Sequence, residues 1–317
     1  LYYLPDYVES CLGDGSRLGV RLSYVVESFP RGTAGAVKNV EQHLVGTLLV
    51  FNGDIFTDLD SKAMLSYHRQ RGAKVTIALT PVEDPSRFGA VETNAEGRVL
   101  RFIEKPRPGE APSNMINAGA YIIEPEVLGH IPSGCRFSFE RELFPSLLDM
   151  GEAVYGYASA AYWIDIGTPD KYLQLHHDLL RGRVKRPLPG DRAGEGIWVE
   201  EGCNIHPEAD LEGPTVLGRN GIIAPGARVK GPTVIGEGCH IGRDSLVEGA
   251  IIWRHARLGE GVVLRNCLVA EGVVIGDRSR VEEGCILGNS VVIGCDQSLA
   301  RGTKVWPEEE TSSPHLR

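Results

Sequence analysis

From Leu22 to Leu180 the chain alternates short apolar runs with stretches whose apolar residues return at helical spacing. The runs Leu22–Val26, Leu48–Phe51, Val75–Leu79, Val99–Ile103, Ala118–Ile123 and Val154–Tyr157 predict strands, and Ala34–Leu44, Ser61–Arg71, Phe139–Met150 and Asp170–Leu180 predict helices. That alternation is the pattern of an α/β domain. Leu48-Leu49-Val50-Phe51-Asn52-Gly53-Asp54 is an unbroken apolar run that stops on a small residue and a carboxylate. It reads as a strand buried on both faces of a mostly parallel sheet, delivering Asp54 to the sheet's carboxyl edge, where open α/β folds hold their ligands. Trp163-Ile164-Asp165 repeats the arrangement before a helix that Thr168 caps and Pro169 begins. Two carboxylates so placed point to one divalent metal.

Near Arg181 the pattern changes. Gly182 to Gly196 is rich in Gly, Pro and charge and reads as a linker. Beyond it Ile205, Leu211, Leu217, Ile223, Val229, Ile235, Ile241 and Val247 fall at a constant step of six, and Leu258, Leu264, Ile275, Val281, Leu287 and Ile293 resume it after two short slips. Gly follows many of these directly, as at Gly218, Gly236 and Gly242. A step of six is a hexapeptide β-helix: each aliphatic residue points into a triangular prism and three hexapeptides close one coil. The predicted layout is an α/β domain over 1–181, a linker over 182–200, a β-helix over 201–296 and a tail over 297–317.

Composition narrows the classes that remain. With 317 residues, 42% hydrophobic and 24% charged, the chain is long enough for two cores. Its net charge of -9 has no compensating basic tract, which argues against a nucleic-acid surface or a membrane-surface helix. No window has the apolar length of a transmembrane helix, and the start does not resemble a signal peptide. Seven cysteines without a C-x-x-C pair indicate neither a disulfide framework nor a zinc site, so the expected compartment is a reducing cytoplasm. Cys203, Cys239 and Cys285 each precede an aliphatic repeat position by two and read as small buried hydrophobes.

Six segments occur in the order found in sugar-1-phosphate nucleotidyltransferases: Glu27 to Ala36, Phe51-Asn52-Gly53-Asp54, Phe88-Gly89-Ala90-Val91, Phe102-Ile103-Glu104-Lys105-Pro106, Ile116-Asn117-Ala118-Gly119 and Trp163 to Pro169. Residues 1–181 resemble that family, and the appended repeat resembles the left-handed β-helix of its mannose-1-phosphate guanylyltransferase branch. The resemblance implies a Rossmann-like catalytic domain that joins a nucleoside triphosphate to a sugar 1-phosphate and releases pyrophosphate. It implies Asp54 and Asp165 as ligands of Mg²⁺, a hard cation that keeps most of its coordination for water and substrate. Lys105, just before Pro106, would hold the sugar phosphate as a point charge. Glu104, Asn117 and the Gly89 amide would meet sugar hydroxyls, while Gly32 and Glu27 would meet the base. A carboxylate accepts from the adjacent N1–H and N2–H of guanine and repels the carbonyls of thymine or uracil, so Glu27 favours GTP and the expected product is GDP-mannose.

Departures from the family pattern carry their own expectations. Arg31 stands where leucine is usual. The Gly-rich loop and the early lysine of the family do not occur in this sequence, which reads as a family member without its first segment and therefore inactive by itself. Three alternatives stand beside GDP-mannose synthesis: thymidylyl or uridylyl transfer to glucose 1-phosphate, a non-catalytic regulatory homologue, and an acyltransferase using His240 or His255, neither of which lies in a recognisable acyltransferase motif. His176 and His177 are adjacent on a helix and do not share a face for a metal. Hexapeptide β-helices commonly self-associate, so a homo-oligomer through the repeat is expected.

Overall fold

The computed structural model describes residues 1–311. It divides into two compact units, Leu1–Trp163 and Ile164 onward. The last six residues of the predicted tail, 312–317, lie outside the described residues.

The first unit is built on a mixed sheet. Its strands are β1 (Leu48–Phe51), β3 (Val75–Pro81), β4 (Gly89–Thr93), β5 (Val99–Glu104), β6 (Met115–Ile123) and β7 (Val154–Ala158), with β2 (Ile55–Thr57) outside it. The order is β5-β4-β6-β3-β7, and β1 lies along β6. Only β3 and β7 run parallel; every other recorded pair is antiparallel. The expectation of a mostly parallel sheet is therefore corrected. β4 and β5 are joined by a tight turn, which forces opposite directions, and β6 runs against all three strands it touches.

β1 differs from its prediction in burial as well. Leu48 is buried, but Leu49 is 47% and Phe51 48% exposed, because β6 is the strand's one recorded partner. Leu22–Val26 forms no strand; the Leu22 amide donates instead to the Asp14 carbonyl, eight residues back. By contrast α3 (Ser61–Arg71) matches its predicted bounds, since Asp60 accepts from the Lys62 and Ala63 amides at one end and Gly72 takes a left-handed φ of 57° at the other. α1 (Pro5–Leu12) and α2 (Gly32–Asn39) precede it. The predicted helix over Phe139–Met150 is in fact a π-turn, Phe139–Leu143, followed by α4 (Phe144–Asp149). The core between sheet and helices is aromatic at its centre, with Tyr121, Phe139 and Phe144 at ring separations of 5.2 to 5.6 Å.

The boundary of the second unit falls inside β8 (Trp163–Asp165). α5 (Pro169–Leu180) follows, with the Thr168 hydroxyl accepting from the Lys171 amide at 3.4 Å. Then come three sheets of short strands wound as a solenoid, all recorded pairs parallel except the first, in which Asp191–Gly194 runs antiparallel to Ile197–Val199. Two of its strands, Asp191–Gly194 and Ile197–Val199, occupy part of the stretch read as linker, and others continue through Glu310–Thr311. Asn204 pairs with Ile222, eighteen residues on, which is three hexapeptides per coil. At the two slips the step shortens to seventeen: Leu246 pairs with Val263 and Ile251 with Leu268. Ile252 and Val269 then fill the interior place, so the core column of Leu217, Ile235, Ile252, Val269 and Leu287 stays unbroken and buried. Cys239 and Cys285 lie in this core, and Cys203 packs against it. Burial pushes the Cys239 thiol up to about 11, where a thiolate nucleophile is absent at neutral pH.

Candidate active site

The site begins where three strands come into register. Gly89 on β4 pairs with Glu104 on β5, and the Ala90–Ile116 pair beside it brings Gly89 alongside Asn117 on β6. Glu104, Gly89 and Asn117 thus form a row across the sheet. Gly89 is needed here: a Cβ would stand 2.6 Å from the Phe102 ring and 3.0 Å from Glu104 Oε2. Lys105 continues β5 with a left-handed φ of 51°, and its amide donates to the Phe88 carbonyl at 2.9 Å. The side chain is exposed and, among the described residues, enters no ion pair, so its ammonium is available beside the row.

β6 gives one edge to two strands. β4 takes the end at Ile116 and β1 takes Ala120 to Ile123. The turn after β1 closes between them, because the Asn52 amide donates to the Gly119 carbonyl at 2.8 Å. Asp54 is in that turn, exposed, and no hydrogen bond or ion pair engages its carboxylate among the described residues. Trp163 is tied to the same stretch, its indole N–H donating to the Ala118 carbonyl at 2.8 Å. Asp165 comes two residues later, in the second unit, where its Oδ1 accepts the Gly167 amide at 2.9 Å.

Burial, followed by the nearby Glu140 carboxylate, raises Glu104 above the ordinary carboxylate range, and Lys105 and Arg141 oppose the shift. Glu140 and Tyr121 were not singled out from the sequence. Tyr121 is fully buried, accepts from Asn117 Nδ2 at 2.8 Å and donates to Glu140 Oε1 at 3.0 Å. Glu140 Oε2 accepts from Thr33 Oγ1 at 2.8 Å and Ser138 Oγ at 2.6 Å.

The segment from Glu27 to Gly35 is held by the same region. Glu27 is half-buried, its Oε2 accepting the Arg31 amide at 3.4 Å, and a cleft of about 640 Å³ opens beside it, lined also by Tyr24, Asn39 and His43. The Ala34 and Gly35 amides both donate to the Phe137 carbonyl, at 3.0 and 2.9 Å. Gly32 has φ 73°, and a Cβ there would meet that carbonyl oxygen at 2.7 Å. Backbone packing against residue 137 therefore already requires glycine at 32, whatever lies over it. The structure brings Gly89, Glu104, Lys105, Asn117 and the Asp54 turn together, and it ties the Gly32 segment to them through Glu140.

Residues 2–182 match the family model described as nucleotidyl transferase, and residues 194–299 match that of the EIF2B subunit epsilon LbH domain. A mannose-1-phosphate guanylyltransferase of Mycobacterium tuberculosis is 42% identical over 226 residues, covering 71% of this chain and 62% of the relative. A UTP–glucose-1-phosphate uridylyltransferase of Synechocystis is 34% identical over 81% of this chain and 70% of its own. A crystal structure from Bacillus anthracis, described as a glucose-1-phosphate thymidylyltransferase in complex with a sucrose, superposes with a TM-score of 0.50 at 21% identity over 59% of this chain and 74% of that one, a likeness of fold alone.

Proposed function

This chain belongs to the nucleotidyl transferase family, and from that premise we propose that it serves the transfer of a nucleotidyl group from GTP to mannose 1-phosphate, giving GDP-mannose and pyrophosphate. The observation that carries the choice of substrates is the 42% identity to a relative named for that activity. The 34% identity to a uridylyltransferase favours a second reading, UTP with glucose 1-phosphate.

In this reading a phosphate oxygen of the sugar 1-phosphate attacks the α-phosphorus of the triphosphate, and pyrophosphate leaves in line. Glu104 and Asn117 hold the sugar hydroxyls, with the Gly89 backbone close enough to touch the ring. Lys105 holds the sugar phosphate, its ammonium in no ion pair among the described residues though close enough to Glu104 to act on it electrostatically. Glu27 reads the base edge above the Gly32 segment. Asp54 and Asp165 are the residues that would hold Mg²⁺: both are hard oxygen donors, Asp54 unengaged among the described residues and Asp165 with one oxygen committed to Gly167. When bound, that ion offsets the repulsion between the two phosphate groups.

The test is pyrophosphate release by the gene product over a grid of GTP, ATP, UTP and dTTP against mannose and glucose 1-phosphates. Highest efficiency for GTP with mannose 1-phosphate supports the first reading; UTP or dTTP with glucose 1-phosphate replaces it with the second. Asp54→Asn and Asp165→Asn should each cost several kcal/mol of transition-state stabilisation, and the double variant little more, since groups acting as a unit are not additive. Near-normal turnover in either single variant removes that residue from the site.

A further inference from the structure

One carboxylate joins the sugar side of the site to the nucleotide side. Glu140 lies in the π-turn, where the Phe144 amide reaches back to the Phe139 carbonyl and the extra residue per turn re-aims the side chains. Its two oxygens face in different directions. Oε1 takes the Tyr121 hydroxyl, which in turn takes the Asn117 amide; Oε2 takes the Thr33 hydroxyl, which in turn takes the Phe139 amide at 2.9 Å. Both arms end as donors on Glu140, whose two oxygens serve only as acceptors here. No Lys or Arg forms an ion pair with Glu140 among the described residues; hydroxyls alone hold it.

Taking the proposed reaction as premise, we infer that Glu140 is a positioning residue that couples the two substrate sites. Asn117 is in the sugar row, and Thr33 adjoins Gly32 on the nucleotide side. A base seated on the Gly32 segment fixes Thr33, hence Glu140, hence the orientation of Tyr121 and of the Asn117 amide that the sugar meets. Binding of either substrate then prepares the place of the other, and the coupling is reciprocal.

The experiment measures the affinity of the sugar 1-phosphate selected by the activity grid, with and without saturating α,β-imido analogue of the selected triphosphate. The wild type should bind the sugar phosphate at least about fivefold more tightly with the analogue present. Glu140→Gln, which must turn an N–H either toward the Tyr121 hydroxyl or toward those of Thr33 and Ser138, should bring that ratio close to one. Thr33→Val removes the bond to Glu140 and the acceptor of the Phe139 amide but no contact of the sugar row, whose Asn117 and Tyr121 bonds remain, so it should lower the ratio while leaving sugar-phosphate affinity without analogue unchanged. Thr33→Val thus tests the coupling even if Glu140→Gln melts early. A wild-type ratio of one, or a ratio unchanged in folded Thr33→Val, overturns the coupling and leaves the proposed function standing. Failure of the wild type to bind any triphosphate or sugar phosphate overturns the function itself and the coupling with it.

Discussion

At the scale of single residues, the site holds one group at a cost to the fold. Glu104 has its protonation range raised by burial and by Glu140, so its ionised form is less favourable folded than unfolded. The stability contributed by its protonated form is present below the ordinary carboxylate range and lost as pH rises through the raised value. Glu104→Gln should therefore raise the melting temperature at pH 7, with the gain vanishing in acid, while weakening sugar 1-phosphate binding by about 1.5–3 kcal/mol, as for a hydrogen bond to a charged group. Calorimetry at two pH values with parallel titrations checks both; a variant destabilised at pH 7 would refute the electrostatic argument. Gly32 makes the opposite point. Its φ of 73° and the Phe137 oxygen 2.7 Å from a would-be Cβ require glycine for the fold itself. Gly32→Ala should lose about 1–3 kcal/mol of stability with no nucleotide present, read by chemical denaturation; a neutral change would return Gly32 to a purely ligand-facing role.

At the scale of elements, α5 is held to the solenoid by few but directional contacts. His177 Nε2 donates to the Gly249 carbonyl at 2.9 Å, and the rings of Tyr172 and Trp253 lie 6.3 Å apart at a steep angle. Burial, reinforced by His177 next to it, lowers His176 to about 4, and His177 is lowered by burial as well. Both are less easily protonated folded than unfolded, so stability should fall as pH drops from about 6.5 toward 4, by about 2–3 kcal/mol for His176. His176→Gln should flatten that part of the pH–stability curve, and an unchanged slope would place the acid sensitivity elsewhere. These elements also show what a sequence discloses. The solenoid is legible because an interior residue recurs every six positions regardless of what it pairs with, and α3 because its caps are local. β1 was recognisable as a strand, but its half-exposed edge position depends on which strands pair, and pairing is non-local. Glu140 was hidden because Phe139-Glu140-Arg141-Glu142-Leu143 looks like the outer face of an ordinary helix; only the π-turn, and a tyrosine inside an apolar run, aim it at the site.

At the scale of the whole molecule, the second unit is a stack in which each coil meets only its neighbours, so its stability is a sum along one axis. A fragment from Ile164 to residue 311 should fold alone and melt as one unit. A shorter fragment from Asp191 lacks α5, which packs on the strand Thr233–Ile235, where the outward-facing Val216 and Ile251 alongside are buried at 5% and 1% exposure. The shorter fragment should remain folded, yet bind a hydrophobic dye and melt earlier than the longer one; equal melting of the two would mean that α5 adds nothing to the stack. The seventeen-residue coils reach further. A residue lost within a strand would turn every later side chain of that strand to the wrong face, but here each corner restarts the count, and two coils already run one residue short with the core intact. The stack therefore behaves like a text punctuated at every word, in which a dropped letter spoils one word and not the rest. Single-residue deletions should leave the stack folded at its corners and disrupt it between them, so length drift among descendants of this gene should accumulate at the turns.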